Sequence, residues 1–206
     1  MLLILPLISA FSPSDNVKIY RTNKYIITDI VPRSAVIKIN GKYIKCGALF
    51  EENDTIDIPS YAAIRVKNLS TQKHSDIKGG KPLKLTIKMF NIYKQLNTKG
   101  TKNLEAIRNY LNKGNWLMIS DTAFIDFPIE LSSNEYFIFK AIPSLIEFKP
   151  TFNHDNHEIT ITKTDLTQIG IYTDNDSIIQ FQVEVHNSLE SVFVTDSLRI
   201  EYIHSK

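Results

Sequence analysis

Among the residues able to do chemistry, the densest group is His154-Asp155-Asn156-His157, two imidazoles and a carboxylate within four positions. Such a group could touch a transition metal, but a zinc-type site needs further ligands and none is placed by the spacing. The four residues read instead as a solvated hairpin turn. His74, His186 and His204 are scattered, and no strained serine elbow accompanies them. Glu51-Glu52-Asn53-Asp54 offers oxygens for calcium without the spacing of an ion-binding loop, and reads as a charged turn. Gly79-Gly80-Lys81 lacks the flanking pattern of a phosphate loop and is not followed by Ser or Thr. The lone cysteine, Cys46, excludes an internal disulfide. No His or acid is placed to activate it, so it is expected to be a buried structural thiol. Trp116, with Tyr110 and Phe124, could form a platform for sugar rings, although a lone tryptophan at a module junction more often belongs to a core. No catalytic, cofactor-binding or metal-ligating residue is assigned, no cofactor is implied, and the chain is expected not to be an enzyme.

The elements that would position any site are easier to read. Val36-Ile-Lys-Ile-Asn40-Gly41-Lys-Tyr43-Ile-Lys-Cys46-Gly47 alternates apolar and polar residues on both sides of Asn40-Gly41. That dipeptide accepts positive φ at both centres of a type I′ turn, whose twist suits paired strands. Further strands are expected at 17–20, 25–31, 35–39, 43–46, 55–58 and 63–67, with another beginning at Leu83. Residues 68–81 show no apolar period and read as an exposed loop. Leu104, Ile107 and Leu111 share one helical face, and Gly114 follows as a stop. From Trp116 onward about seven short strands are expected, at 122–127, 135–141, 146–152, 158–162, 178–185, 191–194 and 198–203. Their turn signals have the spacing of a β-sandwich.

Charge divides the chain. Residues 1–113 carry 19 Lys and Arg against 8 Asp and Glu, a net of +11, whereas residues 114–206 carry 5 against 14, a net of −9. Opposite halves suggest two modules that dock on each other, or a basic module that faces an external anion. Lysines set singly along strands, without clustered aromatics, argue against nucleic acid as that anion. At the start, Met1–Ser12 is an apolar run ending in small residues, with Ala10 and Ser12 spaced as the −3 and −1 positions of a signal-peptide cleavage zone. It is too short to span a bilayer and lacks a basic n-region.

The stretch from Val31 through Val66, with its Asn40-Gly41-Lys42 hairpin, Asp54-Thr55-Ile56 and Ile64-Arg65-Val66, resembles the FecR-like β-domains of secreted and periplasmic proteins of Bacteroidetes-type bacteria. It departs from them at Ala48, where an aspartate is usual, and in lacking their glycine-rich continuation. The resemblance covers about 40 residues and implies an exported β-domain used for binding or signalling. Secreted proteins of that group are often O-glycosylated at Asp-Ser/Thr-apolar triplets. Four occur here, beginning at Asp54, Asp121, Asp176 and Asp196; the same triplets also suit turns and strand starts.

Together these readings describe a mainly β protein: a signal peptide over 1–12, a basic FecR-like or SH3-like domain over 13–90, a helical connector over 91–115 and an acidic antiparallel β-sandwich over 116–206. The expected role is an exported, periplasmic or extracellular binding or scaffold protein without a transmembrane segment. Its partner would be a protein or a cell-envelope component. The alternative is a carbohydrate-binding module, which requires aromatics such as Trp116, Tyr136 and Phe137 exposed on one sheet face.

Overall fold

The computed structural model describes residues 23–80, 83–84, 104–114, 116–127, 131–171 and 178–203. The chain is mainly β, with its strands in three sheets and two helices among the described residues. Two small sheets build the N-terminal module. One orders its strands β4 (Leu49–Glu51), β1 (Lys24–Val31), β6 (Ala63–Asn68) and β7 (His74–Lys78). The other runs β3 (Lys42–Ile44), β2 (Ile37–Ile39), β5 (Thr55–Asp57) and β8 (Leu83–Lys84). Alternation turns Tyr25, Ile27, Ile37, Ile39, Phe50, Ile56, Ile64 and Val66 inward to one core. Burying each such side chain contributes about 1.5–3 kcal/mol.

Asn40 and Gly41 adopt φ of 49° and 77°, and Ile39 faces Lys42 across the turn, the expected two-residue hairpin. Asn40 also does more than turn the chain. Its Oδ1 accepts from Thr55 N at 3.0 Å and its Nδ2 donates to Asp54 Oδ1 at 2.7 Å, tying the hairpin to the start of β5.

The exposed loop expected over 68–81 is corrected in part: His74–Lys78 is strand β7, paired antiparallel with β6. Its lack of apolar period has a physical reason. It is an edge strand of the described sheet on which Ile77 alone is buried; His74 and Lys78 meet carboxylates of the other module, and Asp76 meets Arg65 on β6.

The C-terminal module is one curled eight-stranded sheet, consistent with the expected sandwich. Its strands are β9 (Trp116–Ile119), β10 (Thr122–Asp126), β11 (Tyr136–Ile142), β12 (Glu147–Phe148), β13 (Thr151–Asn153), β14 (Glu158–Thr162), β15 (Ile178–His186) and β16 (Ser191–Tyr202). In space they follow the order β12-β11-β15-β16-β9-β10-β14-β13. All pairs are antiparallel except β16 with β9, where the last strand runs parallel to the first of the module. The two strands expected over 191–203 form the single strand β16, and register shifts opposite Phe181–Glu184 absorb the break in pattern. The aromatic core includes Phe127, Phe137, Phe139 and Phe181.

Helix α1 (Leu104–Lys113) lies inside the expected connector and buries Ile107 and Leu111 in this core. Its C-terminal end is closed by Trp116, whose indole N–H donates to Leu111 O at 2.9 Å. Gly114 makes that possible, because a Cβ there would sit 2.3 Å from the indole ring. A second helix, α2 (Lys163–Gln168), starts with a capping box in which Thr162 accepts from Asp165 N and Asp165 accepts from Thr162 N. The expected strand at 17–20, the signal-peptide reading over 1–12 and most of the strand from Leu83 lie outside the described residues. No described helix is long and apolar enough to cross a membrane.

Candidate functional site

Two regions of the N-terminal module carry its charge, and they are built differently. The first is a seam against the C-terminal sheet. Val31 and Ala63 meet Leu117 and Ile119 in a small apolar cluster, with Ile203 against it. Beside it lies Arg65, 5% exposed on β6. Its guanidinium grips Asp76 with two hydrogen bonds of 2.7 and 2.8 Å. It also donates to Ile119 O at 3.1 Å and Thr122 O at 2.6 Å, so one side chain joins three strands across the seam. The Phe124 ring lies 4.6 Å beneath the guanidinium, and the His74 ring stacks on Phe124 at 4.1 Å.

Around this hub three basic residues of the first module meet three carboxylates of the second. Lys73 Nζ lies 2.8 Å from Asp126 Oδ1, His74 Nδ1 lies 3.1 Å from Glu158 Oε1, and Lys78 Nζ lies 2.5 Å from Glu201 Oε1. Glu158, 3% exposed, also accepts from His74 N at 2.8 Å. At this seam, opposite charges of the two halves meet directly. Burial pushes the Asp126 carboxyl up to about 6, with Lys73 opposing and Glu158 adding to the rise. Burial also raises the Asp76 carboxyl, against the hydrogen bonds and charge of Arg65.

The second region is a cleft of about 970 Å³ on the same module. Ile30, Ala35, Val36, Ile37 and Ile44 supply apolar lining, and Thr28, Asp29, Arg33, Tyr43, Lys45 and Cys46 complete it. It opens where β3 ends and the chain crosses to the other sheet through a tight turn, closed by Ala48 N donating to Lys45 O at 3.1 Å. Tyr43 is 73% exposed, Val36 53% and, on the neighbouring edge strand β4, Leu49 63%. Arg33 and Lys45 make no ion pair or side-chain hydrogen bond among the described residues, while Lys38 lies over the Tyr43 ring at 5.1 Å. Asp29 is engaged locally, its Oδ1 accepting from Ile30 N at 2.9 Å.

The turn corrects the reading of Cys46, which is exposed. Alternation would bury it only if β3 continued past Ile44, and the positive φ of Gly47 (87°) ends the strand before that. The other sequence candidates fall apart from one another. His154–His157 form the turn between β13 and β14, and among the described residues no three His, Cys, Asp or Glu side chains are grouped to hold a metal ion. In the turn at 51–54, Asp54 is held by Asn40 Nδ2 and Glu51 N. Trp116 meets Tyr110 edge-on at 5.6 Å, whereas Phe124 sits in the seam, and Phe137 is 1% exposed. Tyr136 is half-buried, with Lys149 Nζ 4.1 Å from its ring centre. Of the four Asp-Ser/Thr triplets, the aspartates at 54, 121 and 196 each accept a hydrogen bond from a neighbouring group, and 176–177 lie outside the described residues.

No family model, no curated protein and no solved structure matches this chain.

Proposed function

We propose that the protein is an exported, non-catalytic binding protein that engages a protein partner or a cell-envelope component through the cleft of its basic module. The observation that carries this reading is the contrast between its two sets of cations. Those at the seam meet carboxylates of the same chain. At the cleft, Arg33 and Lys45 belong to the lining and Lys38 and Lys42 lie on the adjoining hairpin, beside exposed Val36 and Tyr43. Cations left facing solvent around apolar surface favour an anionic partner with something apolar to bury. Export rests on the apolar run Met1–Ser12 and on the resemblance of the Val31–Val66 stretch to FecR-like domains.

The test uses the full chain on a polyanionic matrix. Retention at low salt, weakened at physiological salt and lost in Arg33→Glu/Lys45→Glu, is the expected result. Retention unchanged by that double substitution would remove the cleft from consideration. Export is checked separately: intact-mass analysis from the native host should show loss of the first ten to twelve residues, and an unprocessed cytosolic chain would overturn it.

A further inference from the structure

We propose that the cleft is a strand-docking site, which takes an extended, acidic segment of a partner protein along the free edge of β3. This rests on the cleft reading above and names its ligand. Among the described residues, β3 is the terminal strand of its sheet, with β2 on one side and no strand on the other. Its register decides which backbone groups are open. Ile39 and Lys42 flank the two-residue turn and exchange hydrogen bonds, so the next pair, Lys38 and Tyr43, is a non-bonded pair. The N–H and C=O of Tyr43 therefore point away from β2, toward the side on which an added strand would lie.

The side chains beside that edge suit such a strand. Residues of an extended peptide alternate between two faces. One set would lie over the cleft, where exposed Val36 and half-buried Ile44 offer apolar surface to a side chain. The other would run beside Lys38 and the exposed ring of Tyr43, which borders the cleft. Arg33, Lys38, Lys42 and Lys45 outnumber the carboxylates Asp29, Asp54 and Asp57 on the same strands and turns, and Asp29 is already bonded to Ile30 N and Asp54 to Asn40 and Glu51 N. Acidic residues on the peptide complete the balance. Main-chain pairing would supply affinity, and the apolar floor with its cationic rim would supply selection.

Cys46 is the single cysteine, is exposed and lines the cleft, so the unmodified protein carries its own reporter. The probe is a fluorescein-labelled peptide of sequence Asp-Val-Glu-Ile-Asp-Val-Glu, read by anisotropy and by the rate at which the Cys46 thiolate adds to a maleimide. Saturable binding that slows thiol labelling at least fivefold is expected. Methylating alternate backbone nitrogens of the peptide should weaken binding at least tenfold, as should Arg33→Glu/Lys45→Glu in the protein. Arg199→Glu, on an exposed position of the other module, should not. Tyr43→Pro tests the same edge from the protein side, since it removes an outward N–H and no ladder bond. The methylated peptide gives the answer even if that variant misfolds.

Equal binding of methylated and unmethylated peptides overturns strand pairing. If dextran sulfate then binds and depends on Arg33 and Lys45, the anion-binding cleft survives without the peptide. Peptide binding that ignores the double substitution overturns both readings. A dimer by light scattering that the double substitution dissociates places a second copy on this edge and overturns the partner segment.

Discussion

The seam and the cleft use the same residue types from the same small module, yet they stand in opposite electrostatic conditions. At the seam, Arg65 and Asp76 are almost wholly withdrawn from water, and the guanidinium is bonded to two further carbonyls of the other module. At the cleft, Arg33, Lys42 and Lys45 are exposed. Burial makes a charge costly and therefore dependent on its partner, whereas exposure makes it inexpensive and available. The first arrangement holds two modules in one orientation; the second leaves charge to act on something else.

The largest effect is expected at the hub. Arg65→Ala leaves Asp76 buried without its cation and two carbonyls without their donors. Removing one partner of a buried pair costs about 3–5 kcal/mol. Urea denaturation should show an unfolding free energy lower by that amount, and Arg65→Met/Asp76→Leu should recover part of it. A loss below about 1 kcal/mol, the range of exposed pairs, would mean that the seam is held by its apolar cluster alone.

A pH measurement separates the regions next. The Asp126 carboxyl titrates at about 6 in the folded chain, and near 3.9 when unfolded. Between those values the folded chain holds a proton that the unfolded chain has released, so stability falls as pH rises. The contribution of this group is complete below about pH 4 and is lost as pH passes through about 6. Relative to Asp126→Asn, the parent protein should lose on the order of 2–3 kcal/mol between pH 4 and pH 7. Urea unfolding of both proteins at the two pH values checks it; a constant difference would show that Lys73 fully compensates for the burial.

The cleft depends on a frame that was legible in the sequence, because its turn chemistry is local. Asn40-Gly41 needs positive φ whatever surrounds it, and the helix over Leu104–Lys113 follows from spacing and a stop. The seam was not legible for the opposite reason. Its strand β7 has a single inward apolar residue, and His74 and Asp76 make sense only beside Glu158 and Arg65, 84 and 11 positions away. The charge division signalled that something would dock, without naming these residues. Helix α2 did carry a local signal, the Thr162-x-x-Asp165 capping pair, which strand alternation over 158–162 overshadowed. Cys46 was misplaced because alternation was extended one turn too far.

Gly41→Val tests the frame without touching the seam. A β-branched residue at φ of 77° is strained, and the loss should be about 1–3 kcal/mol by thermal unfolding. Because the strain falls on the hairpin, the maleimide rate at Cys46 should change as well, while the pH dependence set by Asp126 should not. An unaltered melting temperature would mean that the turn relaxes to another type.

The smallest effects belong to exposed charges, and there the comparison is sharpest. Lys78 and Glu201 form a seam pair whose side chains are 48% and 35% exposed, and Lys78→Ala should cost about 0.2–1 kcal/mol, less at high salt. Arg33→Ala and Lys45→Ala meet no carboxylate of the described chain, so each should change stability by no more than about 0.5 kcal/mol. Folding free energies for the three variants at two salt concentrations provide the measurement. A clear, salt-sensitive loss at Arg33 or Lys45 would mean that these cations are already neutralised within the chain. The difference between seam and cleft would then disappear, and with it the reason for reading the cleft as open to a partner.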